Sequence, residues 1–307
     1  MLYHNIAMTA RTVTHHSIIY LIAFATIVSG ASAAFAGSDI RFEKPSSVEI
    51  ALIKAEINDE PLIRPFMPEF LAGGARGILK MIQNGEVYYL VASESEGGGG
   101  NCDCGNFYIF RNTGGTLETV FQKNGGEGAV YGYDFADLYG DGTTEVIVSY
   151  RTGGTIGNAA EIYCLNGGFK SVLKEGFTYN SIEIADMPAA DGKKDGADEI
   201  AVGCRDSGKL SYEVYRLKDD KLTQARDVYP YFFGRLCREI EKSIADPARK
   251  HKSRVVLLCA LAEAQFMAGW KKKALATFKK AEKAARAKPD DYSATAVLCE
   301  TRRLLEE

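Results

Sequence analysis

Phe135-Ala136-Asp137-Leu138-Tyr139-Gly140-Asp141-Gly142-Thr143-Thr144-Glu145-Val146-Ile147-Val148-Ser149 is a strand, a glycine-enabled acidic turn and a second, hydrophobic strand in succession. The turn sets carboxylates around a tight bend, so that Asp137, Asp141 and Glu145 can converge on a hard cation such as Ca²⁺. A variant follows at Ile184-Ala185-Asp186 and, after an insertion, Asp191-Gly192-Lys193-Lys194-Asp195-Gly196-Ala197-Asp198-Glu199. There Asp186, Asp195 and Glu199 take the corresponding places. An upstream counterpart, Asn84-Gly85-Glu86, lacks the ligands. The alternative is an ordinary Asp-Gly hairpin turn, which any β protein uses.

Working outward, the same strands recur with a period of roughly 50 to 56 residues, the spacing of propellers, solenoids and arrays. Second strands are Leu90–Ser93, Val146–Ser149 and Ile200–Gly203. Third strands are Phe107–Phe110, Ile162–Leu165 and Val214–Leu217, each with Tyr in the same place. Turns follow at Asn112–Gly115, Asn166–Gly168 and Lys218–Asp220, then a fourth strand such as Leu117–Phe121 or Phe169–Leu173. Short strands and Gly/Asn/Asp turns at a fixed period predict propeller-like, four-stranded antiparallel blades over residues 76–230, with a possible partial blade in 37–75.

These repeats resemble the FG-GAP and VCBS-type repeats of integrin-like propellers and exported bacterial proteins, whose acidic turn D-x-[DN]-G-D-G-x-x-[DE] precedes an apolar strand. Asp137 to Val148 fits with one departure, Tyr139 standing where a polar ligand belongs, and the tripeptides that name the family are missing. The resemblance spans about residues 76 to 225 and implies a calcium-stabilised β domain.

After Tyr231 the apolar period lengthens to between three and four residues, predicting a small all-α helical-hairpin domain over 231–307. Asp246-Pro247 is a helix-start pair, helices are expected at about 253–268 and 271–287, Gly269 breaks between them, and Pro289 opens a third. Ala274, Phe278, Ala281 and Ala285 share one helix face, while Lys279, Lys280, Lys283 and Arg286 surround the remainder. The spacing resembles a single tetratricopeptide (TPR) unit, which implies a packing and partner-binding module. A hairpin serving as a lid on the β domain is the alternative. The basic face is the expected partner contact, against the plainer reading of a solvated surface.

Charge follows the same division. Residues 38–230 hold 19 Lys+Arg and 30 Asp+Glu, net −11, whereas 231–307 hold 17 and 10, net +7. Such halves attract each other or face different partners. Residues 1–36 read as a signal peptide: Arg11, an apolar run from Ile18 to Val28, and the small-residue sites Ala31-Ser32-Ala33 and Ala34-Phe35-Ala36. The run is too short to span a bilayer, so a periplasmic or secreted protein without a stable span is expected, beginning near Gly37; an uncleaved anchor is the competing reading.

Of four histidines only His251 survives cleavage, which removes His-rich metal sites and leaves little for His-dependent catalysis. Seven cysteines are too few for a disulfide scaffold. Cys164, Cys204, Cys259 and Cys299 are expected to be buried thiols, and Cys102-Asp103-Cys104 beside Gly97–Gly100 to be an exposed pair. The resulting expectation is a non-catalytic binding protein that recruits a protein partner, with no nucleic acid. A carbohydrate-active enzyme or lectin built on the acidic loops is the alternative.

Overall fold

The computed structural model describes residues 40–62, 77–94, 105–123, 130–151, 157–164, 169–173, 176–206, 209–246, 254–287 and 292–306. The expected leader, Cys102–Cys104 and Gly97–Gly100 lie outside them.

Each expected repeat forms one antiparallel sheet. The first is ordered β1 (Arg41–Glu43), β2 (Ile78–Gln83), β3 (Glu86–Glu94), β4 (Gly105–Thr113) and β5 (Thr116–Lys123). The second runs β6 (Val130–Ala136), β7 (Glu145–Arg151), β8 (Asn158–Cys164), with β9 (Lys170–Ser171) and β10 (Phe177–Tyr179) sharing the far edge of β8. The third is β11 (Ser181–Ala185), β12 (Glu199–Asp206), β13 (Lys209–Lys218) and β14 (Lys221–Gln224). Asn84 (φ 53°) and Gly85 (φ 81°) make the left-handed two-residue turn that joins β2 to β3 without splaying them.

Strand alternation decides how the sheets meet. In the first sheet Leu79, Met81, Leu90, Phe107 and Ile109 point one way, onto Tyr133, Val146, Val148 and Tyr163 of the second. The second sheet's other face, Ile147, Ala160 and Ile162, packs on Ile200, Val202 and Leu217 of the third. The sheets therefore pile face to face in chain order, and none of the cores formed by the described residues joins the first sheet to the third.

Both ends of the pile are covered by helix. Among its described residues the 37–75 segment supplies β1 and α1 (Ser47–Glu56) rather than another four-stranded sheet. A Ser46/Glu49 capping box starts α1. Its Ile53 and Ile57 are buried on Ile78, Tyr89, Val91 and Phe110, each contributing about 2–3 kcal/mol.

Glu49 fastens this cap, taking the Tyr89 hydroxyl at 2.5 Å, the Ser46 N–H at 2.6 Å and Lys80 Nζ at 3.0 Å. Burial alone raises its pKa, but these donors outweigh it and hold the carboxyl down at about 2. A depressed carboxyl stabilises the fold above its ordinary value of 4.5, and that contribution disappears as pH falls toward 2. Glu49→Gln is therefore expected to lose about 1 kcal/mol at pH 7 and to melt with wild type near pH 2; melts at the two pH values check this.

At the other end α2 (Tyr229–Ala245) and α3 (Arg254–Met267) cover the third sheet. Tyr229, Phe232, Phe233 and Cys237 of α2, with Leu261, Ala264 and Ala268, share a core with Ala201 and Val214. The expected boundary between residues 230 and 231 falls in the first turn of α2. Helix α4 (Lys271–Arg286) folds back on α3 after Gly269 (φ 82°), burying Ala274, Phe278 and Ala281, and α5 (Tyr292–Glu306) follows. No helix among the described residues is long and apolar enough to cross a membrane. Cys237 and Cys259 are buried and Cys164 half-buried, but Cys204 and Cys299, expected inside, are exposed.

Candidate functional site

The acidic turn between β6 and β7 is held by its own carboxylates. Asp137 accepts the N–H groups of Asp141 (3.1 Å) and Gly142 (2.8 Å), and Asp141 accepts that of Thr143 (2.8 Å). Glu145, at the head of β7 and fully buried, folds back to accept the Leu138 N–H at 2.9 Å. Its other oxygen, Oε1, is buried with no hydrogen-bond partner. Burial, joined by the charges of Asp141 and Asp137, pushes the Glu145 carboxyl up to about 7 against the pull of the Leu138 N–H and the Cys164 thiol.

The turn between β11 and β12 repeats the plan. Glu199, also fully buried, accepts the Met187 N–H at 2.8 Å, and Asp195 accepts the Ala197 N–H at 3.1 Å. Here, however, Arg216 of β13 donates to Glu199 Oε1 from Nε (2.9 Å) and Nη2 (2.5 Å). The same guanidinium reaches Asp195 at 3.3 Å and Asp227 at 3.2 Å. Asp186 sits half-buried nearby with its Oδ1 unpartnered.

The two turns also dock on each other. The Asp137 N–H donates to Asp198 Oδ2 at 2.9 Å and the Asp198 N–H donates to the Asp137 carbonyl at 2.8 Å. Tyr139, the departure from the repeat pattern, reaches across to hydrogen-bond Asp220 in the β13–β14 turn. Gly140 (φ 69°) lies so close that a Cβ there would stand 3.1 Å from Ala197. The turn thus fastens the second sheet to the third.

Calcium fits the two turns differently. Among the described residues no three His, Cys, Asp or Glu side chains are grouped as a metal cluster. In the third sheet the donors do not fit, because Arg216 already occupies the carboxylates of Asp195 and Glu199. In the second sheet Asp137, Asp141 and Glu145 are the hard oxygen donors that would hold such an ion, and Glu145 Oε1 is a buried acceptor without a hydrogen-bond partner. The sequence signal missed was Arg216, a cation distant in sequence and brought in only by strand pairing.

The expected partner face lies on α4. Lys279, Lys280, Lys283 and Arg286 are all exposed. The helix has a single acid, Glu282, which is paired with Arg302 of α5 at 2.6 Å, so the face keeps its positive field. Lys280 alone of the four borders an open groove of about 570 Å³ between α2, α3 and α4. Ile244, Leu258 and Leu261 supply its apolar lining, and Arg254 and Lys273 join Lys280 as its cations.

No family model, curated protein or solved structure matches the chain.

Proposed function

We propose that the protein is an exported, non-catalytic binding protein. Its three sheets act as propeller-type blades in an open, helix-capped array, steadied by calcium in the turn of Asp137, Asp141 and Glu145. Its TPR-like helices recruit a protein partner through an acidic segment. The groove carries this reading: apolar side chains line it, three cations border it, and Glu241 is the one acid beside them. Apolar side chains of the partner would meet Ile244, Leu258 and Leu261, while its carboxylates meet Arg254, Lys273 and Lys280. A sugar-directed reading comes second, because among the described residues the exposed large aromatics, Tyr231 and Trp270, lie in the helical region, away from the carboxylates of the turns.

Reversing the charge at Lys279, Lys280, Lys283 and Arg286 is expected to abolish partner capture from an extract of exported proteins and to leave circular dichroism unchanged. Filling the groove with Ala276→Phe should do the same. A photo-crosslinker at Ala276 identifies the captured segment, expected to be rich in Asp and Glu. Capture that survives both changes removes the reading.

A further inference from the structure

Glu145 and Glu199 occupy one place in successive sheets, and the side chain opposite each of them differs in charge. Each heads a second strand, and each accepts the N–H of the residue that follows the first Asp of its turn. Across the ladder Glu145 faces Cys164, whereas Glu199, one step beyond the Ile200–Tyr215 pair, faces Arg216. We propose that Arg216 is a built-in cation that serves the third sheet's turn in place of a metal. The six carboxylates then form one calcium site rather than two, at Asp137, Asp141 and Glu145.

The chemistry follows from what each neighbour supplies. A guanidinium offers five N–H donors and a permanent charge, and here it spends them on Glu199, Asp195 and Asp227. A thiol offers one weak donor and no charge: the Cys164 thiol bonds the Glu145 carboxyl but cannot neutralise it, and Oε1 stays without a partner. A buried carboxylate without a counter-charge is costly, which makes an external cation at Glu145 favourable and one at Glu199 redundant. Both turns join the same two sheets, yet only one depends on the surrounding ion concentration. This inference rests on the calcium reading for the Glu145 turn, but its Arg216 half does not.

The test is a reciprocal exchange in the full chain, Cys164→Arg and Arg216→Cys, with melts in calcium and in chelator and calcium counted by equilibrium dialysis. Wild type is expected to bind one equivalent. Cys164→Arg should bind none and melt alike in both media. Arg216→Cys should melt roughly 6–20 °C lower in chelator, recover part of this in calcium and bind a second equivalent. Arg216→Lys keeps the charge and should recover most of the loss. An Arg216→Cys protein that melts like wild type in chelator, or an Arg216→Lys protein that falls as far, overturns the built-in cation. A wild type that binds no calcium instead overturns the single-site half together with the calcium reading above.

Discussion

Phe232→Ala is expected to lower the melting temperature by roughly 6–20 °C and to do so for sheet and helix together. Phe232 is 1% exposed and touches both structural classes: its ring meets Tyr212 of β13 at 5.5 Å and Phe233 of its own helix at 5.1 Å. Truncating a buried Phe costs about 3–5 kcal/mol, and each kcal/mol moves the melting point of a chain this size by about 2–4 °C. Phe232→Leu, which keeps most of the volume, should lose much less. The informative measurement follows helix by far-UV circular dichroism and sheet by tyrosine fluorescence in one melt. Coincident transitions mean that α2 and the third sheet are one cooperative body, whereas separate ones would restore a domain boundary at residue 230.

Calcium should raise the melting temperature of the wild type, and Asp141→Ala should remove that response. A turn with two exposed-side carboxylates and one buried one resembles extracellular modules more than cytosolic sensors, which places its affinity at about 10⁻⁴–10⁻³ M. At a hundred times the dissociation constant, binding adds about 2.7 kcal/mol, or roughly 5–10 °C. Equal melting of the wild type in calcium and chelator makes the Glu145 turn a plain fastener between sheets. An equal shift in Asp141→Ala moves the metal elsewhere.

The strands were legible because apolar alternation and Asn-Gly, Gly-Gly or Asp-Asp turns are local signals, and β3, β4, β7, β8, β12 and β13 lie where those signals put them. The hairpin of α3 and α4 was legible for the same reason, Gly269 marking its bend. Helix α1 had a visible Ser46-x-x-Glu49 capping signature, yet the β repeat overshadowed it. The start of α2 is harder: Tyr229-Pro230-Tyr231-Phe232-Phe233 has the aromatic content of a strand, against which stand Pro230 in the first turn and packing on the third sheet. In the candidate site the carboxylates were readable from spacing. Their employment was not, since Arg216 and Cys164 face them through a ladder whose register no local window contains.

Sheets that meet in chain order beneath a helix at either end have no circumference to satisfy. Each sheet needs only a neighbour on either side, so the number of sheets is free of the geometric quota that a ring imposes. Duplicating or deleting a middle unit would lengthen or shorten the molecule in steps of one sheet while α1 and α2 still close the ends. Loss of order should likewise travel as in a zipper: releasing α1 exposes the first sheet's outer face, and each sheet that melts strips the cover from the next. The end helices are then the latches of the whole array, and the distance between its two extremities is a property that evolution, or an engineer, can set one repeat at a time.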